Sequence, residues 1–211
     1  GDPALGFVPR GFYQRYGKRI FDVCVSGTGL LCLSPVFLIV ALAIKLDSKG
    51  PVFYRSTRVG RRAGHFQFLK FRTMRADAEK LKAQLEHLNE MDGPVFKIRN
   101  DPRMTRVGRV LRRTSLDELP QLWHVLRGEM SLVGPRPPIP EEVELYEPWH
   151  RRRLSVTPGI TCLWQVSGRN KIRFDEWMRL DMHYIDNLTF GTDLKTLVMT
   201  VPAVLRGDGA S

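Results

Sequence analysis

Leu111-Arg112-Arg113-Thr114-Ser115-Leu116-Asp117-Glu118-Leu119-Pro120-Gln121-Leu122 is the stretch from which the rest of the chain is best read. Ser115 and Glu118 stand at the spacing of a capping box, and Leu119, Leu122, Trp123 and Leu126 continue at a helical period. The spacing predicts a helix that starts at Ser115, with Asp117 and Glu118 in its first turn. Free backbone N–H groups and the positive end of the helix dipole gather there, a natural seat for a phosphate. Arg112 and Arg113 add permanent charge just upstream. A carboxylate among such groups stays ionised, so it can attack phosphorus, hold a divalent cation, or do both. Taken alone, the pattern also describes an ordinary capped helix whose acids only complement its dipole. The neighbouring sequence has to decide.

With 211 residues the chain can bury one sizeable core. Lysine and arginine number 33 against 22 acidic residues, a net charge of +11. That excess asks for an anionic partner: nucleic acid, an acidic membrane surface, or phosphorylated small molecules. Three cysteines, Cys24, Cys32 and Cys162, form no CxxC pair, and the five histidines show no ligand spacing. This argues against a disulfide framework or a zinc site and for a reducing compartment. The first residues, Gly1-Asp2-Pro3, are those expected of a trimmed chain or of one domain of a longer protein.

Upstream, a basic and aromatic segment over residues 1–17 leads into an apolar run from Ile20 to Leu46. A helix of that length could cross the ~30 Å hydrocarbon layer. It is too long for a signal peptide. A spanning helix, a buried core helix and a re-entrant hairpin all compete. The core helix fits least, because the run is apolar all round. Ser34-Pro35 falls mid-run, where proline removes a backbone hydrogen bond and the serine hydroxyl can bond back to the freed carbonyl. Arg15, Lys18 and Arg19 precede the run and Lys45, Lys49, Arg55 and Arg58 follow it, so both flanks carry cytoplasmic-type charge. Spanning and re-entrant readings stay level on these residues.

Val52-Phe53-Tyr54 and residues 65–72 are strand-like, with a turn over residues 60–64, and predict a β-hairpin. Lys70 and Arg72 share a face of the second strand. Residues 76–91 predict an amphipathic helix, 107–113 a short basic one, 141–153 a helix ending in Arg151-Arg152-Arg153, and 175–186 another. Ser131 to Pro138, Thr157 to Ile160 and Trp164 to Asn170 read as turns. Prolines on both sides of Arg136 fix one guanidinium in place. The last helix, 193–205, contains Pro202 and either rests on a bilayer, with Trp149 and Trp177 at headgroup depth, or closes the core. No repeat is visible.

Taken together these motifs resemble the bacterial monotopic phosphoglycosyl transferases, the polyprenyl-phosphate sugar-phosphate transferases. The resemblance runs in order through Lys18-Arg19-Ile20-Phe21-Asp22, Leu33-Ser34-Pro35, Gly50-Pro51-Val52-Phe53, Lys70-Phe71-Arg72-Thr73-Met74, and Thr114 to Gln121. It continues through Gly134-Pro135-Arg136-Pro137, Pro158-Gly159-Ile160-Thr161 and Val166-Ser167-Gly168-Arg169-Asn170. Cys162 departs from it, standing where many relatives carry glycine.

The resemblance implies transfer of a sugar 1-phosphate from a UDP-sugar to polyprenyl (undecaprenyl) phosphate, with release of UMP, early in surface polysaccharide or glycoconjugate assembly. It makes Asp117 and Glu118 the catalytic pair. Asp117 becomes the nucleophile that carries a phosphosugar, with Mg²⁺ beside it as cofactor and Asp117 as its ligand. By position in the matching motifs, Lys70, Arg72, Arg112, Arg136 and Arg169 are expected at substrate, with Asp181 orienting an arginine. Ser34 and Pro35 are expected to turn the apolar helix back. The fold that follows is mostly α within an α/β class. It is one membrane-associated domain with a re-entrant helix over 18–48 broken at Ser34-Pro35, a small hairpin and amphipathic interfacial helices. Residues 49–211 form the catalytic part, on the cytoplasmic face of a bacterial inner membrane. Membrane lipid is a partner, nucleic acid is not, and a homo-oligomer is open. A non-catalytic basic module and a direct ternary-complex transferase are the rival readings.

Overall fold

The structure is a computed structural model describing residues 11–89, 98, 101–167 and 173–206. It is mostly helical. Residues Lys18–Asp47 form α1, entered from a turn of π-helix at Tyr13–Gly17. Its 30 residues reach ~45 Å. Helical structure continues through Ser34 and Pro35, where the sequence predicts a break. Pro35 has no N–H to offer the Leu31 carbonyl, but Ser34 Oγ donates to that carbonyl at 2.8 Å. The hydroxyl thus supplies the bond that proline removes.

Hydrogen bonds tie both ends of α1 to the rest of the chain. Near its start, Arg19 donates to the carbonyls of Val125 and Leu126, and Lys18 pairs with the buried Asp193 at 2.6 Å. One turn later, Asp22 accepts the Leu132 N–H at 3.0 Å. At the far end Asp47 accepts the Val107 N–H at 3.0 Å. Between these anchors Val40 and Ile44 pack on Phe71 and Leu111. Leu31, Leu38, Ile39, Leu42 and Leu46, on other sides of the helix, remain exposed.

A hairpin follows, β1 (Phe53–Val59) antiparallel to β2 (His65–Phe71), registered from Phe53↔Phe71 to Val59↔His65. β1 runs five residues past the apolar triplet seen in the sequence, because Arg55 to Val59 find backbone partners on β2 despite the polarity of most of them. Helix α2 (Ala78–Lys82) is shorter than expected and tightens into a 3₁₀ turn at Ala83–Leu88. Of its residues Ala78 is buried, which gives little tertiary packing to hold a longer helix. Glu90 and Met91, at the end of the expected helix, lie outside the described residues.

Helix α3 (Arg106–Arg113) is capped by Thr105, whose hydroxyl accepts the Gly108 N–H at 2.9 Å. The capping box expected at Ser115 does not form. Thr114 closes α3 with its hydroxyl on the Val110 and Leu111 carbonyls, and Ser115 takes a left-handed conformation (φ 55°) that turns the chain. Leu116–Glu118 then make a single 3₁₀ turn. Pro120 cannot donate to the Leu116 carbonyl, so an α-helix restarts only at α4 (Gln121–Arg127). Gly128, left-handed at φ 84°, ends it.

Two stretches read as loops pair in parallel: β3 (Ser131–Val133) with β4 (Gly159–Thr161). Three-residue strands bounded by Pro and Gly carry no alternation to reveal them. The single helix expected over 141–153 is two pieces, α5 (Pro140–Glu144) and a 3₁₀ segment at His150–Ser155. Pro148 intervenes, and a proline biases the residue before it away from the helical region; Tyr146 and Glu147 lie in neither piece. Then come α6 (Leu163–Ser167), α7 (Phe174–Asp186) and α8 (Phe190–Arg206), the last two close to the predicted spans.

The main core gathers Phe68, Val125, Met130, Leu132, Val133, Tyr184 and Ile185. In the Arg151-Arg152-Arg153 run, Arg152 is exposed and pairs with Asp186, and Arg153 is buried. Trp177 is buried as well, so of the two tryptophans placed at headgroup depth only Trp149 reaches the surface.

Candidate active site

Three elements meet at Asp117. β2 delivers Lys70, whose ammonium lies 5.6 Å from the Tyr54 ring centroid. α3 delivers Arg112. This helix can approach the end of β2 because position 108 is glycine: a Cβ there would stand 1.9 Å from the Thr73 carbonyl oxygen. The close approach lets Arg112 Nε donate to Thr73 Oγ1 at 3.1 Å. The 3₁₀ turn after Ser115 delivers Asp117, buried, and Glu118, half-exposed.

These groups set each other's charge. Burial pushes the Asp117 carboxyl up from the usual carboxylate range, while Lys70, Arg112 and its own backbone N–H pull it back. Burial and the neighbouring Arg112 push Lys70 down to about 8, against Asp117 and Glu118. An acid and two cations thus share one desolvated spot, which suits a nucleophilic carboxylate facing an anionic partner. The positive potential comes from side chains on β2 and α3. The helix N-terminus invoked from sequence is not where these acids sit.

Lys70 and Arg112 line a cavity of about 1280 Å³. Arg136 lines it too, framed by prolines as expected, 3.6 Å from Glu142 Oε1 and over the Trp177 ring. Arg58, which sequence reasoning missed, completes the set. Its guanidinium donates to the Pro137 carbonyl at 3.1 Å and stacks on Phe68. Burial and Arg136 push it down to about 10. Among the described residues the buried Arg58 Nε and Arg136 Nη1 have no hydrogen-bond partner, Nη1 having only the longer ion pair to Glu142, so an anion in the cavity can take them. The missed signal was alternation: Tyr54, Arg58 and Lys70 share one face of the hairpin.

The other expected residues divide. Arg72 borders the cavity, but its guanidinium donates to the carbonyls of Lys49 and Ser48 and so secures the chain leaving α1. Asp181 pairs with Arg153 at 2.8 Å rather than with an expected substrate arginine, and burial raises it to about 6. Arg153 in turn donates to the Arg136 carbonyl at 3.0 Å and to Tyr146. Asp181 therefore supports the Arg136 loop from behind. Arg169 lies outside the described residues.

Among the described residues no group of three or more His, Cys, Asp or Glu gathers to hold a metal. Asp117 and Glu118, consecutive in the chain, are the carboxylates that would hold a Mg²⁺ ion, which binds through one or two carboxylates plus substrate phosphates rather than a protein cage. On the Glu118 side of the turn a second cavity, of about 240 Å³, is bounded mainly by apolar side chains.

Residues 13–207 match the family model described as bacterial sugar transferase. The chain is 46% identical over 194 residues to a galactosyl transferase, CpsE, of Streptococcus agalactiae, covering 92% of this chain and 43% of that protein. It is 41% identical over 197 residues to the exopolysaccharide production protein ExoY of Sinorhizobium fredii, covering 92% and 87%. A UDP-glucose:undecaprenyl-phosphate glucose-1-phosphate transferase of Caulobacter vibrioides is 42% identical over 203 residues, covering 92% and 71%. The chain thus spans less than half of the streptococcal relative and most of the other two.

Proposed function

The chain belongs to the bacterial sugar transferase family, and from that premise we propose that it moves a sugar 1-phosphate from a UDP-sugar to polyprenyl phosphate. The observation that carries this reading is the Asp117 carboxyl, buried yet held in the field of Lys70 and Arg112 beside a cavity with further arginines. A diphosphate donor and a phosphate acceptor repel each other and a carboxylate alike, so catalysis here is chiefly a matter of offsetting charge.

In the proposed sequence the donor diphosphate lies against Arg58, Lys70, Arg112 and Arg136. An Asp117 carboxylate oxygen attacks the phosphorus that bears the sugar. The bond from that phosphorus to the bridging oxygen breaks, and its electron pair leaves with UMP. An oxygen of the lipid phosphate then attacks the same phosphorus, the acyl phosphate bond breaks, and the carboxylate returns. A Mg²⁺ ion held by Asp117 and substrate oxygens would add neutralising charge to the diphosphate. Glu118, more exposed than Asp117, takes part on the acceptor side in this reading.

The setting is a membrane. α1 is long and apolar enough to cross one, and 11% of its most apolar window is buried. Its two ends, however, are bound to the same body, through Lys18 and Arg19 at one end and Asp47 at the other. This supports insertion without crossing, on the cytoplasmic face of the inner membrane where nucleotide sugars are at hand.

The test is intact-protein mass spectrometry after incubation with a panel of UDP-sugars and no lipid. A phosphosugar adduct on Asp117 is expected with the cognate donor, and Asp117→Asn should release no UMP. UMP release by that variant at wild-type rate would exclude the covalent route. It would favour a direct transfer in which the acids serve only as metal ligands.

A further inference from the structure

The apolar cavity beside Glu118 has no part in the donor chemistry above. Leu116, Leu119 and Leu122 form one wall, Ile160 and Val166 another, and Val204 of α8 closes it, with Gln165 and hydroxyl side chains between them. Among the described residues no lysine or arginine lines it, in contrast to the larger cavity. A nucleotide or sugar phosphate placed there would lose its water and gain no cation. Its 240 Å³ is also below the ~300–1,000 Å³ that encloses a whole drug-sized ligand. The space suits a short apolar segment.

We propose that this cavity receives the isoprenoid segment adjoining the phosphate of the lipid acceptor, so that donor and acceptor reach the acidic turn from different sides. The proposal rests on the transferase reading and names a subsite within it. Two observations identify the occupant. First, Glu118, one residue from the proposed nucleophile, lines the cavity, so a phosphate attached to its occupant would lie next to the acidic turn. Second, its walls belong to elements whose other faces are apolar and exposed. Leu122 approaches α1, where a Cβ at Gly29 would lie 3.3 Å from its Cδ1. Val204 sits on α8 between Val201 and Leu205, 59% and 81% exposed. The rest of a long prenyl chain can therefore leave the cavity along the exposed apolar side chains of α8 and enter lipid. The α8 wall is held in place, since Thr200 and Thr161 hydroxyls meet at 2.7 Å.

Val204→Trp should fill the cavity. The expected result is a KM for undecaprenyl phosphate raised about tenfold or more, with the KM for UDP-sugar within about twofold of wild type. An unchanged acceptor KM, or a rise in the donor KM instead, overturns the proposal. Failure of the transferase reading is told apart because it shows as no turnover by the wild type. A second measurement uses the wild-type protein: polyprenyl phosphate with a diazirine on the isoprene unit next to its phosphate. Photolabel is expected within 114–122, 160–166 or 200–204, the stretches that wall the cavity. Label confined elsewhere sinks the idea, even if Val204→Trp does not fold.

Discussion

Lys70 is the residue through which pH reaches Asp117. Its ammonium loses its proton near pH 8 rather than 10.5, so the field that holds the carboxylate and the donor diphosphate weakens above that value. The log of kcat/KM should accordingly fall along an alkaline limb near pH 8. Lys70→Arg should move that limb upward, because a guanidinium keeps its charge; an unmoved limb would assign it to another group. Stability responds with the opposite sign. Between about 8 and 10.5 the unfolded chain holds a proton on Lys70 that the folded one has released. Unfolding therefore takes up a proton there, and wild type should gain stability relative to Lys70→Met as pH rises through that window. Thermal melts of the two across it check the sign. At this scale the residue spacing was wrong about local structure. Asp117 and Glu118 stand out by their neighbours, yet the capping box that drew attention to them is replaced by a left-handed Ser115 and a 3₁₀ turn. Arg58 went unseen because a polar run hides strand alternation until its partner strand is known.

Elements in this protein are placed by contacts that leave little trace in local pattern. α3 reaches the end of β2 only because Gly108 has no side chain, and through that approach Arg112 meets Thr73. Gly108→Ala would drive a methyl into the Thr73 carbonyl, so strand end or helix must move. Overpacking of this kind costs ~1–3 kcal/mol. It should also lower kcat/KM by displacing Arg112, whereas Arg113→Ala, on an exposed residue of the same helix, should leave both nearly unchanged. Denaturant titration with initial rates separates the two variants; equal behaviour would show that α3 does not position the arginine. A helical stretch such as 174–186 was legible because its period is clear and long. The β3–β4 pair was not, since three residues set no period and the pairing joins segments far apart in the chain. The Asp181–Arg153 pair lay beyond reach for the same reason: that Asp181 supports the Arg136 loop, rather than touching substrate, depends on tertiary neighbours alone.

For the whole molecule the question is how a 30-residue apolar helix and a cationic cavity share one protein at a membrane. The length and composition of α1 were plain in the sequence, and they left crossing and returning level, because neither property says where its ends go. The structure adds the ends. Arg19 holds the C-terminal carbonyls of α4, Asp47 holds an N-terminal amide of α3, and both interactions match the helix dipoles they meet. α3 and α4 flank the Asp117 turn, so a helix crossing the bilayer would have to carry one anchor, and with it part of the site, through hydrocarbon. Moving those polar groups without their partners would cost several kcal/mol each. Cysteines placed at Phe12 and Lys49, both exposed, in a chain with Cys24 and Cys32 changed to alanine, test this directly. A membrane-impermeant maleimide should label both positions in inverted inner-membrane vesicles and neither in spheroplasts. Labelling of one position from each side would mean that α1 crosses, and the site would then have to be assembled from a body that α1 does not hold at both ends.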